Sequence, residues 1–297
     1  YETAAAEYRR VIDGWPESPL VPYALHELGC AQMDRQDNAA AEATLTTLLD
    51  AHGKHPVAPT ARFSRGMARH RLGKFGPAVE DLQAFLAGHP EPSARCDARY
   101  LLGLCQMGLE DYKAAAATLR SLLADEPDYG NGDNVLYQLA WALKLSGDEG
   151  EAAKVFQQLA TKYPDSPRSG EAYYHIGEFT YARKDYDHAA AAYYKAMQQA
   201  GVSELGEKSA HKLGWSYFHQ GSFDDALKTF AYQWKTYPQG PLAPDAAFMQ
   251  AECLFAQKKY SEALEAYDGV ENLRSEGFEA LRLLHAGQAA GQLKQWK

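Results

Sequence analysis

Residues 211–238 read HKLGWSYFHQGSFDDALKTFAYQWKTYP. Apolar residues three and four apart run up to Gly221, a capping residue follows at Ser222, and a second apolar segment starts at Phe223. No proline interrupts either segment, and Pro238 closes the second. A glycine just past one helix, a capping residue before the next and a proline just beyond its end describe two helices joined by a tight turn.

The same pattern recurs along the chain at a step of 37 residues. Gly29, Gly66, Gly103, Ala140, Gly177, Gly214 and Ala251 form a column of small residues inside the first helix. Twelve residues later stand Ala41, Ala78, Ala115, Ala152, Ala189, Ala226 and Ala263, with Ala4 one period earlier. Sixteen after each small residue comes a large one: Leu45, Leu82, Leu119, Phe156, Tyr193, Phe230 or Tyr267, with Tyr8 in the first, incomplete copy. Asp37, Asp111, Asp148, Asp185 and Ser222 read as N-caps of the second helix, and Pro16, Pro90, Pro127, Pro164 and Pro238 as its stops. Glycine inside a helix costs about 1 kcal/mol relative to alanine, so the small column needs a packing reason. Close approach of the two helices supplies it, the small column facing the alanine column where the helices cross. One helix pair cannot bury both faces, but stacked pairs can.

These residues resemble the tetratricopeptide repeat family, whose pattern is a large residue, Leu-Gly, then Ala with an aromatic four later, then Pro. Leu25, Leu28 and Gly29, Tyr173, Ile176 and Gly177, and the sets Ala152/Phe156/Pro164 and Ala226/Phe230/Pro238 carry the resemblance. It implies an all-α solenoid, a right-handed superhelix of about eight antiparallel helix pairs. The units run approximately 1–20, 21–57, 58–93, 94–130, 131–167, 168–203, 204–240, 241–274 and 275–297, as one array. Both ends fall inside a unit: Tyr1 begins a second helix and Trp296 stands where the last one would start. The expected object is an excerpt of a longer array, so a missing targeting signal carries no meaning. The long units, with Tyr163 to Pro167 and Trp15 to Pro19 in their loops, look like those of bacterial envelope proteins such as the barrel-assembly lipoprotein and the Tol-Pal coordinator. An envelope or periplasmic location is the corresponding expectation, with the cytoplasm left open.

Composition narrows the function. The 297 residues carry 30 Lys and Arg against 39 Asp and Glu, a net charge of −9, so the basic stripe that phosphate contacts need is missing and no nucleic-acid partner is expected. No run approaches the roughly 18 apolar residues of a membrane span. Cys30, Cys96, Cys105 and Cys253 stand in no zinc or disulfide spacing. His26 and Cys30, four apart, lack a third ligand in view, and His52 with His55 is no stronger, so neither metal nor cofactor is expected. No phosphate loop, nucleophile elbow or His-Glu-x-x-His occurs, and the reading is non-catalytic.

Where the pattern breaks, it becomes informative. Gly53 and Gly201 replace the loop proline, giving looser connections, and Gly287 comes one position early, shortening the loop at Asn272 to Ser275. Around Gly66 the family's three packing positions hold Arg62, Arg65 and Arg69. Unpaired guanidinium groups do not belong in a core. Their stems cover it while the heads reach water or neighbours such as Glu27 and Asp34, or the three form an anion site.

In the resembled family the first helices line a concave groove, and the residues three before, one after and four after the small residue point into it. Transferred by position, the groove holds Tyr100, Tyr137, Trp141, Tyr174, Glu178, Tyr181, His211, Trp215 and Phe218, with Lys208 and Lys212 beside them. Such rings suit a protein or peptide partner. Asn134, Glu171, Glu178 and Lys208 would fix register at the rim. Three readings stay open: these rings capture a peptide; they pack on each other in a structural or self-associating module; or Trp141 and Trp215 stack sugars of a peptidoglycan-like glycan. Lys208 and Lys212 match the last part of the family's carboxylate clamp, but Tyr137 and Trp141 stand where its first Lys and Asn would be, so the two lysines are expected on a solvated face.

Overall fold

The computed structural model describes residues 2–270 and 276–294; Tyr1, the loop at Asn272 to Ser275 and Trp296 lie outside them. Among the described residues every regular element is a helix. In chain order these are α1 (Glu2–Gly14), α2 (Val21–Asp34), α3 (Asn38–His52), α4 (Ala58–Arg71), α5 (Phe75–Ala87), α6 (Pro92–Gly108), α7 (Tyr112–Asp125), α8 (Gly132–Leu145), α9 (Glu149–Lys162), α10 (Ser169–Ala182), α11 (Tyr186–Ala200), α12 (Glu204–Gln220), α13 (Phe223–Thr236), α14 (Ala243–Ala256), α15 (Tyr260–Asp268) and α16 (Glu276–Gln292). Contacts divide the chain into two compact units, Tyr1–Ala152 and Ala153–Lys297. Each helix packs on the next along the chain from α1 to α8 in one and from α10 to α16 in the other, and first helices touch the first helix of the following repeat: α2 on α4, α4 on α6 and α6 on α8 in one, α10 on α12 and α14 on α16 in the other.

The small column does what the periodicity implies, with a difference of partner. A Cβ added to Gly29, Gly103, Gly177 or Gly214 would come within 2.6–2.7 Å of the large residue sixteen later, Leu45, Leu119, Tyr193 or Phe230. Contact with the alanine column is secondary: at Gly66 the Ala78 carbonyl is 3.6 Å away, behind Leu82 at 3.2 Å. The knob therefore sits over the glycine, and the alanines let its helix lie close. Ala41, Ala78, Ala115, Ala189, Ala226 and Ala263 are fully buried, while Ala4 is exposed.

The turn between paired helices is built on one backbone feature. The seventh residue after each small residue is left-handed: Gln36, Gly73, Glu110, Gly147, Lys184, Gly221 and Lys258, with φ between 60° and 90°. Lys294, seven after Gly287, shares it at φ 58°, which places the early glycine in register. Asp37, Asp111, Asp148 and Asp185 follow and accept the N–H three residues on; Ser222 makes no such bond. A Cβ in the left-handed region costs about 1–2 kcal/mol, and glycine gives part of that back as unfolded-chain entropy. Lys184→Gly and Gln36→Gly are thus each expected to raise stability by about 0.5–1 kcal/mol in urea titrations, while Gly73→Ala lowers it by a similar amount.

The arginine exception is resolved by carboxylates other than those expected. Arg65 grips Asp81 with two bonds, Nε to Oδ2 at 2.9 Å and Nη2 to Oδ1 at 2.7 Å, and reaches Thr46 at 3.2 Å. Arg69 bonds Asp81 at 2.8 Å and Glu42 at 3.1 Å, and Lys74 closes on Glu42 at 2.6 Å. Burial by itself would raise the Glu42 carboxyl; the bonds from Lys74 and Arg69 overcome this and hold it below the usual range. Glu27 and Asp34 take no part, because these arginines face the second helices α3 and α5 rather than α2. Arg62 is half-buried and outside the network. An anion arriving at Arg65 and Arg69 would have to displace Asp81 and Glu42.

Candidate partner-binding face

The transferred positions divide between the two compact units. In the first, Tyr137 and Trp141 on α8 lie edge to face at 6.3 Å, with the Lys144 ammonium 5.0 Å from the indole, and Tyr100 is half-buried on α6.

In the second unit, α10 and α12 bring the remaining candidates together. Tyr174 and Tyr181 both meet the buried Tyr193 ring, at 5.7 and 6.4 Å. Burial pushes the Tyr174 hydroxyl up to about 12 and raises that of Tyr181, so both stay neutral donors. On α12, Trp215 packs edge-on against Phe218 at 5.9 Å and Phe230 at 6.5 Å. His219, which the sequence did not single out, stacks between Trp215 at 5.6 Å and Tyr186 at 4.9 Å. The rings do pack on one another, yet Tyr174, Tyr181, Trp215 and Phe218 all keep part of their surface in solvent.

His211 has an inward role. The indole Nε1–H of Trp215 donates to His211 Nε2 at 3.0 Å, so Nδ1 carries the ring proton and donates to Gln233 Oε1 at 3.3 Å. Gln233, fully buried, passes the chain to the Leu242 carbonyl at 3.2 Å. Burial holds the imidazole pKa below its ordinary value. With both nitrogens engaged, His211 fixes the indole.

The lysines are also engaged. Lys208 bonds Glu204 at 2.5 Å, and Lys212 lies 3.0 Å from Glu178 Oε1 and 5.2 Å from the Tyr181 ring. A carboxylate clamp would have to break both pairs. The same Glu178 oxygen accepts the Tyr193 hydroxyl, and burial with this bond raises the phenol well above its usual range.

That triad occurs twice, and the sequence carried a signal for it. Two repeats on, Tyr267 donates to Glu252 Oε1, which also receives His285 Nδ1 at 2.7 Å. Lys212 and His285 each precede a column glycine by two, Gly214 and Gly287. Glutamate after the small residue accompanies a tyrosine knob, in Glu178/Tyr193 and Glu252/Tyr267; tryptophan there accompanies phenylalanine, in Trp141/Phe156 and Trp215/Phe230. A buried phenol needs an acceptor and a buried phenyl does not. Among the described residues no three His, Cys, Asp or Glu cluster as metal ligands, and no helix is long and apolar enough to cross a membrane.

Comparison with known proteins agrees with this architecture. Two family models, both described as tetratricopeptide repeat, match residues 26–92 and 211–275 and residues 97–129 and 134–166, together about two thirds of the chain. A tetratricopeptide repeat protein from Parabacteroides merdae superposes with a TM-score of 0.54 at 16% identity, over 89% of this chain and 98% of that one. The C-terminal part of a repeat protein from Cytophaga hutchinsonii gives 0.61 at 14%, over 82% and 93%. YrrB, described as a protein of this class with an unusual peptide-binding site, gives 0.55 at 18%, over 69% and 98%. No curated protein matches the chain significantly. A 37-residue helix pair repeated through the chain, its knob seated on a small residue, and two matching family models lead to one assignment: the chain belongs to the tetratricopeptide repeat family.

Proposed function

We propose that the chain is a non-catalytic interaction scaffold that takes a protein or peptide segment on the aromatic face of its first helices. The observation that carries this is the set Tyr174, Tyr181, Trp215 and Phe218: each ring is held edge-on by neighbours yet stays part-exposed, beside the paired Glu178 and Lys212. Rings already fixed lose little entropy on binding, which is what makes tyrosine and tryptophan effective anchors. YrrB, with the same fold and a described peptide site, supports the reading. A place in envelope assembly belongs to this proposal as a context.

The test is selection of peptides from a displayed random library on the whole chain. Selected peptides are expected to lose at least tenfold affinity for Trp215→Ala, with far-UV circular dichroism unchanged. The pair Tyr137→Ala and Trp141→Ala is measured separately as the contribution of the other compact unit. Selected peptides that bind Trp215→Ala and the Tyr137/Trp141 variant as well as the unsubstituted chain would overturn the assignment of this face.

A further inference from the structure

The side of α12 away from Trp215 carries a second surface. First helices α10 and α12 touch, whereas second helices α11 and α13 each pack on α12 and leave a slot between them. Met197, Leu213 and Tyr217 line it around a cavity of about 230 Å³. Tyr194 of α11 and Tyr232 of α13 form its lips, 45% and 43% exposed. Other repeats do not place rings there: Thr46, Gln83, Arg120 and Gln157 stand in the Tyr194 column, and Thr47, Ala84, Ser121 and Gln158 in the Tyr232 column. Single exposed rings are ordinary on a protein surface, but two tyrosines set around one apolar cavity mark a contact surface.

On α13 the lip continues as a stripe. Asp225, Lys228, Thr229 and Tyr232 all line the slot, at the spacings of three and four that share one side of a helix. Lys228 Nζ lies 3.2 Å from Asp225 Oδ1, with both side chains mostly exposed. Such a pair is held weakly, so either charge can change partner at small cost. Tyr232 is already steadied edge-on by Tyr237 at 6.5 Å, which suits it as an anchor.

We propose that this slot is the contact between two copies of the chain related by a twofold axis. A twofold contact sets one patch against itself, so the patch must hold both halves of every interaction. This one does: a cavity with exposed rings beside it, and an acid with a base one turn away. Two α13 stripes crossing antiparallel near Lys228 and Thr229 bring Lys228 of each copy within one turn of Asp225 of the other. Two exposed pairs within helices are then exchanged for two pairs between copies, while the tyrosine rings close over the facing cavities. A partner of single charge would leave Asp225 or Lys228 facing its own sign.

The test is sedimentation equilibrium of the whole chain from micromolar to near-millimolar concentration, with circular dichroism on every variant. A monomer–dimer equilibrium is expected. Tyr232→Ala and Tyr194→Ala should each weaken it more than tenfold, and Lys228→Asp, which sets four acids face to face, should abolish it. Adding Asp225→Lys to Lys228→Asp exchanges the signs in both copies and should restore the dimer. Trp215→Ala should leave the dimer intact, because residue 215 projects from the side of α12 opposite Leu213 and Tyr217; this separates the slot from self-association through the first-helix rings. A chain that stays monomeric throughout overturns the proposal, as does a dimer that Tyr232→Ala or Lys228→Asp leaves unchanged.

Discussion

Replacing Asp81 by alanine is expected to remove about 3–4 kcal/mol of stability, as much as truncating a buried leucine of the core. Asp81 is 4% exposed and neutralises two guanidinium groups at once. Arg65 would keep only Thr46, and Arg69 only Glu42 and the Pro77 carbonyl. Taking one partner from a buried ion pair leaves the other charge desolvated and unpaired, which costs about 3–5 kcal/mol; the arginine side chains, 14% and 16% exposed, relax toward water and set the effect at the lower end. The counterpart is a variant with Leu at 65, 69 and 81 together. Exchanging a buried ionic group for apolar side chains is neutral or stabilising in comparable cases, and Glu42 keeps its bond from Lys74, so the triple variant should recover most of what Asp81→Ala loses. Urea unfolding followed by circular dichroism checks both. A loss below about 1 kcal/mol for Asp81→Ala would mean that the guanidinium heads are already solvated.

Gly177→Ala should cost about 2–3 kcal/mol, although alanine is the better helix former by about 1 kcal/mol. The new methyl would sit 2.6, 2.7 and 2.9 Å from three atoms of the Tyr193 ring. That ring is fully buried, pinned at its hydroxyl by Glu178 and flanked by Tyr174 and Tyr181. It cannot turn aside, so α10 and α11 must separate. Gly66→Ala is the internal contrast. There the methyl meets Leu82 at 3.2 and 3.3 Å, a gap that a small shift of a flexible side chain relieves, and the gain in helix propensity offsets the contact to within about 0.5 kcal/mol. Equal effects at the two positions would show that the knob residue does not decide the packing.

The helix pairs were legible because periodicity records local physics. A small residue, an alanine twelve later and a knob sixteen later all describe one crossing, and each repeat restates it. The left-handed turn was only half legible: glycine betrays it at Gly73, Gly147 and Gly221, while Gln36, Glu110, Lys184 and Lys258 adopt the same conformation without the residue that signals it. The pairings were not legible at all from one helix. Arg65 and Arg69 look orphaned until Asp81, on the partner helix, is set beside them. His211 looked like a groove residue because its column points that way, but its nitrogens are taken up by Trp215 and Gln233. Position in a column fixes where a side chain starts; hydrogen-bond capacity decides where it ends.

The alternation of Glu178 with Tyr193 and Trp215 with Phe230 has a bearing on how such a chain can grow or shrink. Excising residues 204–240 would bring Met249 to the place of Lys212 and strand the Glu178 carboxylate beside a phenol alone. Excising two successive repeats would deliver His285 there and keep a hydrogen-bond donor on the carboxylate, as His285 supplies to Glu252. Losing the 204–240 repeat alone should therefore cost more stability than losing it together with its successor.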